Sequence, residues 1–394
     1  MLLRLANRDN VAVAGSLTGL ASLLLGWLTL KPNRIAAGTS LNLWQSFDWP
    51  GPIIIIMLWL VCLGLSLTGR KRRQAVTLGI TANIVIIASF LFAGLSATRL
   101  LAQEASVSAR VSLGAGFWVT LVGAYVVIFG ARHAIGESRL WKNFISWTGL
   151  AVAVLLLMTG WLNNLSVMQE FIGREERFIQ EFLQHIFLFG GSVAVGTVIG
   201  VSLGIWATRG RRAERPIFYF SNITQTIPSL ALFGLLIAPL SALSFSFPVL
   251  RDIGIRGVGP TPAFIALIIY SLLPIVRNTY VSLRQVDPAV IDAGLGMGMS
   301  RRQIFRKIEI PLATPIVLEG VRIASVQSVG LTAVAALIGA GGLGWFIFRG
   351  VGQAANDLIL LGAVPIIILA LVVDAVMRGV IRIATPRGLA GEKQ

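Results

Sequence analysis

Long apolar stretches separated by short polar segments are the dominant pattern along the chain. A helix needs about 20 mostly apolar residues to cross the hydrocarbon core of a bilayer. Stretches of this kind predict about ten transmembrane helices, at residues 11–30, 53–69, 75–97, 113–131, 144–162, 185–207, 217–243, 262–283, 317–340 and 358–377. Pro228 and Pro239 fall within 217–243, so this span is predicted to be kinked or broken. The pattern predicts an all-α integral membrane protein.

Composition agrees with a membrane protein. Hydrophobic residues make up 55% of the chain and charged residues 13%, whereas soluble domains carry about 25% charged residues. The net charge of +16 would suggest nucleic-acid binding in a soluble protein. Here the basic residues lie in short clusters between apolar runs, such as 70–73 and 209–215. Clusters of this kind set the orientation of a membrane protein.

The distribution of basic residues favours one orientation. When both chain ends are placed in the cytoplasm, most lysines and arginines lie in inner segments, whereas acidic residues divide almost evenly. The run 11–30 resembles the apolar part of a signal peptide, but it is long enough to span, so we expect a retained first helix. Apolar positions in the outer connection 163–184 follow helical spacing. They predict an amphipathic surface helix or a docking surface for an external partner.

Groups able to perform chemistry are few. The chain has one cysteine, Cys62, so it contains no intrachain disulfide and no cysteine metal cluster. His133 and His185 are far apart in sequence, and we expect packed or interfacial histidines rather than metal ligands. The sequence contains no G-x-x-x-x-G-K-[ST] phosphate-binding loop. We therefore expect a chain that is not an enzyme and binds no cofactor; ATP-driven transport would require a second polypeptide.

The inner connection 284–316 carries strong helix signals. The pair Asp287-Pro288 predicts an N-cap and a first helical residue. Glycines at every second position from 294 to 298 are expected to end this short helix. The sequence Ser300-Arg301-Arg302-Gln303 fits a capping box, which predicts a second helix from 301. Pro311 is expected to end or kink that helix.

This segment resembles the loop of bacterial binding-protein-dependent ABC importers. That loop reads EAA, three residues, Gly, nine residues, Ile, one residue, Leu-Pro. At matching spacing the chain has Asp292, Ala293, Gly294, Gly298, Ile308, Ile310 and Pro311. Asp292 replaces Glu, Gly294 replaces Ala and Ile310 replaces Leu. The resemblance implies that the short helix docks into a groove of a separate cytoplasmic ATPase and passes the closure of the ATPase to the pore.

The wider resemblance covers about residues 180–385 and is most specific for the osmoprotectant branch, through 222–230, 273–280 and 339–344. It implies a type I ABC importer permease core in the bacterial inner membrane, moving glycine betaine, choline or a related quaternary ammonium compound by alternating access. It also implies three partners: an ATPase dimer that binds ATP and Mg, a second permease of the same or a homologous kind, and a periplasmic or external substrate-binding protein.

The resemblance implies a division of the chain into three parts. Residues 1–143 form an N-terminal extension of about four spans. Residues 144–184 hold the fifth span and the external amphipathic segment, and residues 185–394 form the permease core. We call residues 284–316 the coupling segment.

Residues 339–344, which we call the glycine turn, fit the dinucleotide fingerprint G-x-G-x-x-G. That fingerprint requires a preceding strand, whereas this one follows an apolar helix, so a nucleotide site is rejected. We expect instead a flexible turn near the external mouth of the transport pathway. A candidate gate is formed there by its glycines, Gly339, Gly341, Gly342 and Gly344.

Charged residues near or within the spans leave one alternative open. Glu319 and Arg322 are three residues apart on one helix and are expected to pair. Asp374 is the candidate proton or sodium site of an ion-coupled secondary transporter, the main rival class. An ABC permease for another small solute, such as an amino acid, is the second alternative.

Overall fold

The computed structural model describes residues 9–34, 36–68, 72–136, 138–252 and 254–386. Its internal contacts divide the chain into two compact units, Met1–Gly173 and Arg174–Gln394. Residues 70 and 71 of the first basic cluster lie outside the described residues. Both chain ends, which were predicted to be cytoplasmic, also lie outside them.

Eight helices in the described part of the chain are long and apolar enough to cross a membrane. They run Arg72–Gln103, Ala115–Ala134, Arg139–Met158, Glu175–Ala207, Ser229–Ser246, Pro260–Arg284, Arg301–Ile338 and Asn356–Ala384. A shorter apolar helix covers Gly51–Leu67. The helical multi-pass architecture is confirmed, and the predicted number of ten spans was approximate.

Unit 1 combines helices with a small antiparallel sheet. Its helices are α1 Asn10–Ser22, α2 Leu43–Ser46, α3 Gly51–Leu67, α4 Arg72–Gln103, α5 Ala115–Ala134, α6 Arg139–Met158 and α7 Ser166–Ile172. Its strands are β1 Leu28–Lys31, β2 Thr39–Leu41 and β3 Arg110–Leu113, in the order β2-β1-β3. Leu28 of β1 pairs with Leu41 on one side and with Leu113 on the other.

The predicted first span, 11–30, is wrong as a single helix. α1 has 13 residues, or about 20 Å at 1.5 Å per residue, against a hydrocarbon core of about 30 Å. The rest of the run turns into β1. Directly before this strand, the Trp27 N–H donates to the Leu41 carbonyl at 2.8 Å and the Trp27 carbonyl accepts from Gly114 N–H at 2.8 Å. Hydropathy cannot reveal these partners because they lie far away in sequence.

Glycines bring α1 and α5 close together. A Cβ on Gly15 would lie 2.8 Å from the Gly123 carbonyl oxygen, and a Cβ on Gly123 would lie 2.9 Å from the Gly15 carbonyl oxygen. Small residues allow this approach, which membrane helices use because lipid supplies no hydrophobic force between them.

A buried amide joins α4 to α6. Asn83 Nδ2 donates to the carbonyls of Gly79 and Ile145 at 2.8 Å, and Asn83 Oδ1 accepts from Gly149 N–H at 2.6 Å. Ile145 and Gly149 are four residues apart, so Asn83 serves both backbone groups of one helical turn of α6. A polar side chain inside the bundle thereby has partners for both ends of its amide.

Unit 2 is built from helices. These are α8 Glu175–Ala207, α9 Arg211–Thr226, α10 Ser229–Ser246, α11 Pro248–Asp252, α12 Pro260–Arg284, α13 Pro288–Gly296, α14 Arg301–Ile304, α15 Ile310–Ala335, α16 Gly344–Gly352 and α17 Asn356–Ala384. A π-helical turn, Phe305–Glu309, joins α14 to α15, and a 3₁₀ turn, Ala336–Ile338, follows α15.

Helix α12 lies at the centre of unit 2 and packs against α8 and α15. On α8, Gly196, Gly200 and Gly204 recur at intervals of four and face α12. A Cβ at these positions would lie 1.9 Å from Ser271 Oγ, 2.8 Å from Ile275 Cγ2 and 2.5 Å from Thr279 Cβ, respectively. This glycine stripe fixes α8 closely against α12.

The predicted surface helix at 163–184 is wrong for its second half. Residues from Glu175 onward belong to the 33-residue helix α8. The polar residues of this stretch are not uniformly solvated, since Glu181 is only 4% exposed. Its carboxylate has buried partners in the glycine turn, described below, and helical periodicity does not show them.

The predicted break in 217–243 is confirmed at its first proline. α9 ends at Thr226 and α10 begins at Ser229, with Pro228 as the N-cap residue of α10. The Tyr270 hydroxyl donates to the Ile227 carbonyl at 2.6 Å, and Gln225 Nε2 donates to the Tyr270 carbonyl at 2.6 Å. The Tyr270 side chain of α12 therefore satisfies a carbonyl that the break releases, and the Gln225 side chain adds a second bond to α12. Pro239 lies inside α10.

Candidate functional site

The coupling segment begins with a short capped helix. Asp287 Oδ1 accepts from Ala289 N–H at 2.8 Å, and Pro288 occupies the first turn of α13. The predicted start of this helix is confirmed. The cap satisfies a backbone donor of the first turn and so stabilises the start of α13. This start follows closely after the end of α12 at Arg284.

Gly298 ends α13 through a Schellman motif. Its φ is +79°, its N–H donates to the Leu295 carbonyl at 2.9 Å, and Met299 N–H donates to the Gly294 carbonyl at 3.1 Å. Three glycines were predicted to end the helix, but only Gly298 among them adopts a positive φ. Gly296 is the last residue of the helix itself.

Gly294 has a packing role instead. It is the buried residue of α13, and a Cβ there would lie 3.0 Å from Ile308 Cδ1 and 3.4 Å from Ile304 Cγ1. This contact places the two arms of the coupling segment against each other. It also gives a physical reason for the departure from the EAA pattern, since the smaller glycine lets Ile308 approach.

The second arm runs without a stop into the membrane helix. Ser300 and Gln303 form the predicted capping box, with Ser300 N–H donating to Gln303 Oε1 at 2.7 Å and Gln303 N–H donating to Ser300 Oγ at 3.4 Å. Pro311 does not end this arm: it is the second residue of α15, directly after the π turn Phe305–Glu309, within a helix that continues from Arg301 to Ile338. We infer that the wider turn accommodates the missing N–H of the proline.

The outer face of α13 is open. Asp292 and Ala293 are exposed, and so are three large apolar side chains of the same turn region, Val290, Leu295 and Met297, the last at 75%. The structure thus divides the predicted site residues into two groups. Asp292 and Ala293 present a surface, while Gly294, Gly298 and Ile308 shape the segment that carries it.

The glycine turn lies beyond the other end of α15 and is held by one face of α8. The Glu181 carboxylate accepts from Gly342 N–H at 2.5 Å, and Gln184 Nε2 donates to the Ala340 carbonyl at 3.1 Å. Gly339, Gly341 and Gly342 have φ values of +77°, +78° and +86°, which other residues rarely adopt. α8 supplies hydrogen-bond partners for this turn, and the flexibility of the turn stays a prediction.

His185 completes the attachment. Its Nδ1 lies 3.3 Å from the Leu343 backbone nitrogen, and its Nε2 lies 3.1 Å from the Val329 carbonyl oxygen. A backbone N–H can only donate and a carbonyl can only accept, so Nδ1 accepts and Nε2–H donates. The neutral ring therefore bridges the glycine turn to α15, as expected for a packed histidine; it is 0% exposed.

The outer side of this attachment is covered by cation–π contacts. The guanidinium of Arg177 lies 4.7 Å from the Trp345 ring centroid, and that of Arg349 lies 4.9 Å from it. Arg177 also pairs with Glu181 at 2.6 Å. Sequence reasoning missed Glu181 and Gln184; the only signal was their polar character at helical spacing with His185.

A four-residue charge network links α15 to α17. Arg322 pairs with Glu319, as predicted, with Nε 3.0 Å from Glu319 Oε2. Its Nη1 lies 2.6 Å from Asp374 Oδ1, and Asp374 Oδ2 lies 2.6 Å from Arg378 Nη2. Sequence spacing could not show the pairing of Arg322 with Asp374, which are 52 residues apart. The alternative prediction, a proton or sodium site at Asp374, assumed a carboxylate that is not paired with arginines.

The fold and these elements define a polytopic membrane protein with a short helical segment presented at one end of its helices. Residues 196–387 match the model of the binding-protein-dependent transport system inner membrane component. Residues 7–168 match the model of the ABC transporter permease YehY, N-terminal domain.

Curated relatives extend these matches. A glycine betaine/carnitine/choline transport system permease protein of Bacillus subtilis is 38% identical over 54% of this chain and 90% of its own length. An osmoprotectant import permease protein of Salmonella typhimurium is 39% identical over 52% of this chain and 91% of its own. A carnitine transport permease protein of Listeria monocytogenes is 41% identical over 48% of this chain and 80% of its own length. The chain belongs to the family of binding-protein-dependent transport system inner membrane components.

A solved structural relative is also similar. A chain of the MetNI methionine ABC transporter in an inward facing conformation has a TM-score of 0.47 and 22% identity, over 54% of this chain and 98% of that chain.

Family membership confirms the predicted class. The chain is a multi-pass permease subunit of an ABC transporter, and ATP hydrolysis resides in a separate subunit. The family match therefore favours ATP-driven transport over the ion-coupled alternative. The roles of the individual residues in the coupling segment and the glycine turn stay predictions.

A matched pair of glycine variants tests the Schellman motif. Gly298→Ala should destabilise α13 by about 1 kcal/mol, because the Cβ of alanine is sterically unfavourable at a positive φ. Gly296→Ala should stabilise it by up to about 1 kcal/mol, because this glycine lies within the helix. A Cβ at either position would meet open space, so crowding does not enter the comparison. Hydrogen exchange of the α13 amides measures the effect; equal changes in the two variants would refute the motif.

Variants of Glu181 test the attachment of the glycine turn. Glu181→Ala removes the acceptor of Gly342 N–H, and we expect exchange of the turn amides to rise by about tenfold or more, since a bond to a charged group contributes about 1.5–3 kcal/mol. Glu181→Gln keeps an acceptor oxygen and should have a smaller effect. Glu176→Ala, an exposed residue of the same helix, is the control. Unchanged exchange in Glu181→Ala would show that the turn does not depend on this bond.

Proposed function

We propose that this permease carries an osmoprotectant such as glycine betaine, choline or carnitine into the cell. The observation that carries the proposal is the similarity at 38–39% identity to permeases with such names over about nine-tenths of their own length. The family model's match at residues 196–387 includes the coupling segment and the glycine turn. An amino-acid importer of the same family is the second candidate.

The proposed mechanism is alternating access driven by a cytoplasmic ATPase dimer that binds ATP and Mg. An external binding protein delivers the substrate to a core formed by this permease and a second permease, the same or homologous. ATP binding draws the ATPase subunits together, and the permease changes the side on which its pathway is open. This chain performs no covalent step; its contribution is to bind the partners and to move.

The coupling segment is the proposed ATPase contact. Asp292 and Ala293 lie exposed on α13 beside apolar Val290 and Leu295, a combination suited to a groove on a partner. Exposed basic residues follow on the second arm, including Arg301 and Arg302. They support a cytoplasmic location for this segment, and with it cytoplasmic chain ends.

Helix α15 is the proposed transmission element. It has 26 residues, or about 39 Å at 1.5 Å per residue, and runs from the coupling segment toward the glycine turn. Ile308 ties its start to α13, and His185 ties its outer half to α8 and the turn. A displacement of α13 is therefore carried along one continuous helix to the other side. We propose that the glycine turn, held by Glu181 and His185, is the outer gate element.

Purification with partners tests the docking surface. The tagged chain should be recovered with a P-loop ATPase, and Ala293→Arg should reduce that recovery and the uptake of glycine betaine at least about tenfold, because a large charged side chain would enter the contact. Ala293 is an exposed helical position, where arginine is a good helix former, so α13 should remain folded.

Gln285→Arg is the matched control. Gln285 is exposed in the same connection but precedes α13. Normal ATPase recovery with Ala293→Arg would overturn the docking assignment. Uptake of an amino acid in place of glycine betaine, choline and carnitine by the wild-type transporter would favour the second candidate.

A further inference from the structure

We propose that Arg322 and Asp374 form a binding site for a zwitterion in transit, with the carboxylate of the substrate on Arg322 and its quaternary ammonium beside Asp374. The inference rests on the proposed function and assigns a substrate class: osmoprotectants that carry both charges, such as glycine betaine and carnitine. Choline carries the cation alone.

The site is a cavity next to a partly exposed ion pair. Arg322, Asp374 and Gln327 line a cavity of about 310 Å³ together with Ile323 and Val326. The side chains of Arg322 and Asp374 are 25% and 21% exposed, so both charges reach the cavity. Charged residues within membrane helices are costly and commonly mark substrate pathways or face water-filled cavities.

The partners of the two residues favour insertion of a zwitterion. Arg322 also pairs with Glu319, and Asp374 also pairs with Arg378 at 2.6 Å. When the bond between Arg322 and Asp374 opens, each residue therefore keeps one partner, Glu319 for Arg322 and Arg378 for Asp374. A zwitterion then supplies one new partner to each residue, and the charge of the site stays balanced.

The chemistry of the two ends matches the two residues. A guanidinium binds a carboxylate through charge-assisted hydrogen bonds. A quaternary ammonium has no N–H to donate, so a carboxylate such as that of Asp374 attracts it through charge alone. A simple cation would bring no anion to replace Asp374 beside Arg322, so the charge of the site would not stay balanced, and unbalanced charge in a desolvated site is costly.

Polar groups continue from the cavity to the broken helix. Gln327 Nε2 lies 3.4 Å from Gln225 Oε1, and Gln225 Nε2 donates to the Tyr270 carbonyl. Tyr270 in turn holds the Ile227 carbonyl at the break between α9 and α10. Discontinuous helices with released backbone groups form substrate sites in several transporter folds. The cavity is thus joined to a polar route rather than enclosed by apolar residues alone.

Direct binding tests the site. Radiolabelled glycine betaine and choline are titrated into the purified complex of the permease with its ATPase, without the binding protein. Wild type should bind glycine betaine saturably, and Arg322→Gln should weaken this binding at least about tenfold, the size expected for loss of a charge-assisted bond. Choline should bind more weakly and change less than about threefold in Arg322→Gln.

Two further variants separate binding from stability. Arg382→Gln removes an exposed arginine outside the network, on α17, the helix of Asp374, and should bind as wild type. In the double variant Arg322→Gln/Asp374→Asn the remaining charges, Glu319 and Arg378, balance each other, and the net charge of the network is zero again as in wild type. Thermal stability should therefore recover relative to Arg322→Gln, while glycine betaine binding stays weak. Recovery of binding together with stability would show that the pair only connects α15 to α17, and would overturn the site.

The two proposals fail differently. Absence of saturable glycine betaine binding, or equal losses for glycine betaine and choline in Arg322→Gln, overturns the zwitterion site, while cellular uptake of glycine betaine by wild type still supports the proposed function. Absence of uptake of all three osmoprotectants overturns the proposed function itself.

Discussion

Polar groups within the membrane helices must find their partners inside the protein, because hydrocarbon offers none. Each unit obeys this constraint at its helix contacts. In unit 1, Asn83 serves two backbone groups of α6. In unit 2, Tyr270 holds the carbonyl released at the break before Pro228, and His185 bridges the glycine turn to α15.

The same constraint explains which parts can move together. Glycine stripes allow close helix contact, as between α8 and α12, and buried polar bonds fix the register of those contacts. Helix α15 has polar attachments at Arg322 in its middle and Val329 toward its end, and Ile308 of the π turn just before it packs near Gly294. A helix attached in this way transmits a displacement instead of absorbing it, which is what a coupling role requires.

Local sequence patterns were sufficient for much of the coupling segment. The Asp287 cap, the Ser300–Gln303 capping box and the glycine-terminated helix all depend on residues within a few positions of each other. The same holds for the pairing of Glu319 with Arg322. The sequence did not show which glycine takes the positive φ, because all three in 294–298 favour a helix end equally.

Features that depend on distant residues were missed. The run 11–30 has the hydropathy of a span, yet its end pairs with β2 and β3. Glu181 resembles a solvated residue of a surface helix, yet it binds a turn more than 150 residues later. Asp374 resembles an isolated carboxylate that could bind an ion, yet it forms ion pairs with Arg322 and Arg378. In each case a polar or backbone group has its partner in an element that periodicity cannot identify.

The central claim is that α13 is the surface through which a separate ATPase drives this permease. The one cysteine, Cys62, is buried, so Ala293→Cys introduces an exposed thiol that a short bifunctional reagent can join to a neighbouring protein. Our account predicts an adduct with a P-loop ATPase, whose yield changes when ATP is added, and no such adduct from Val351→Cys, an exposed position in α16. An intact complex in which Ala293→Cys gives no ATPase adduct, while Val351→Cys does, would contradict it.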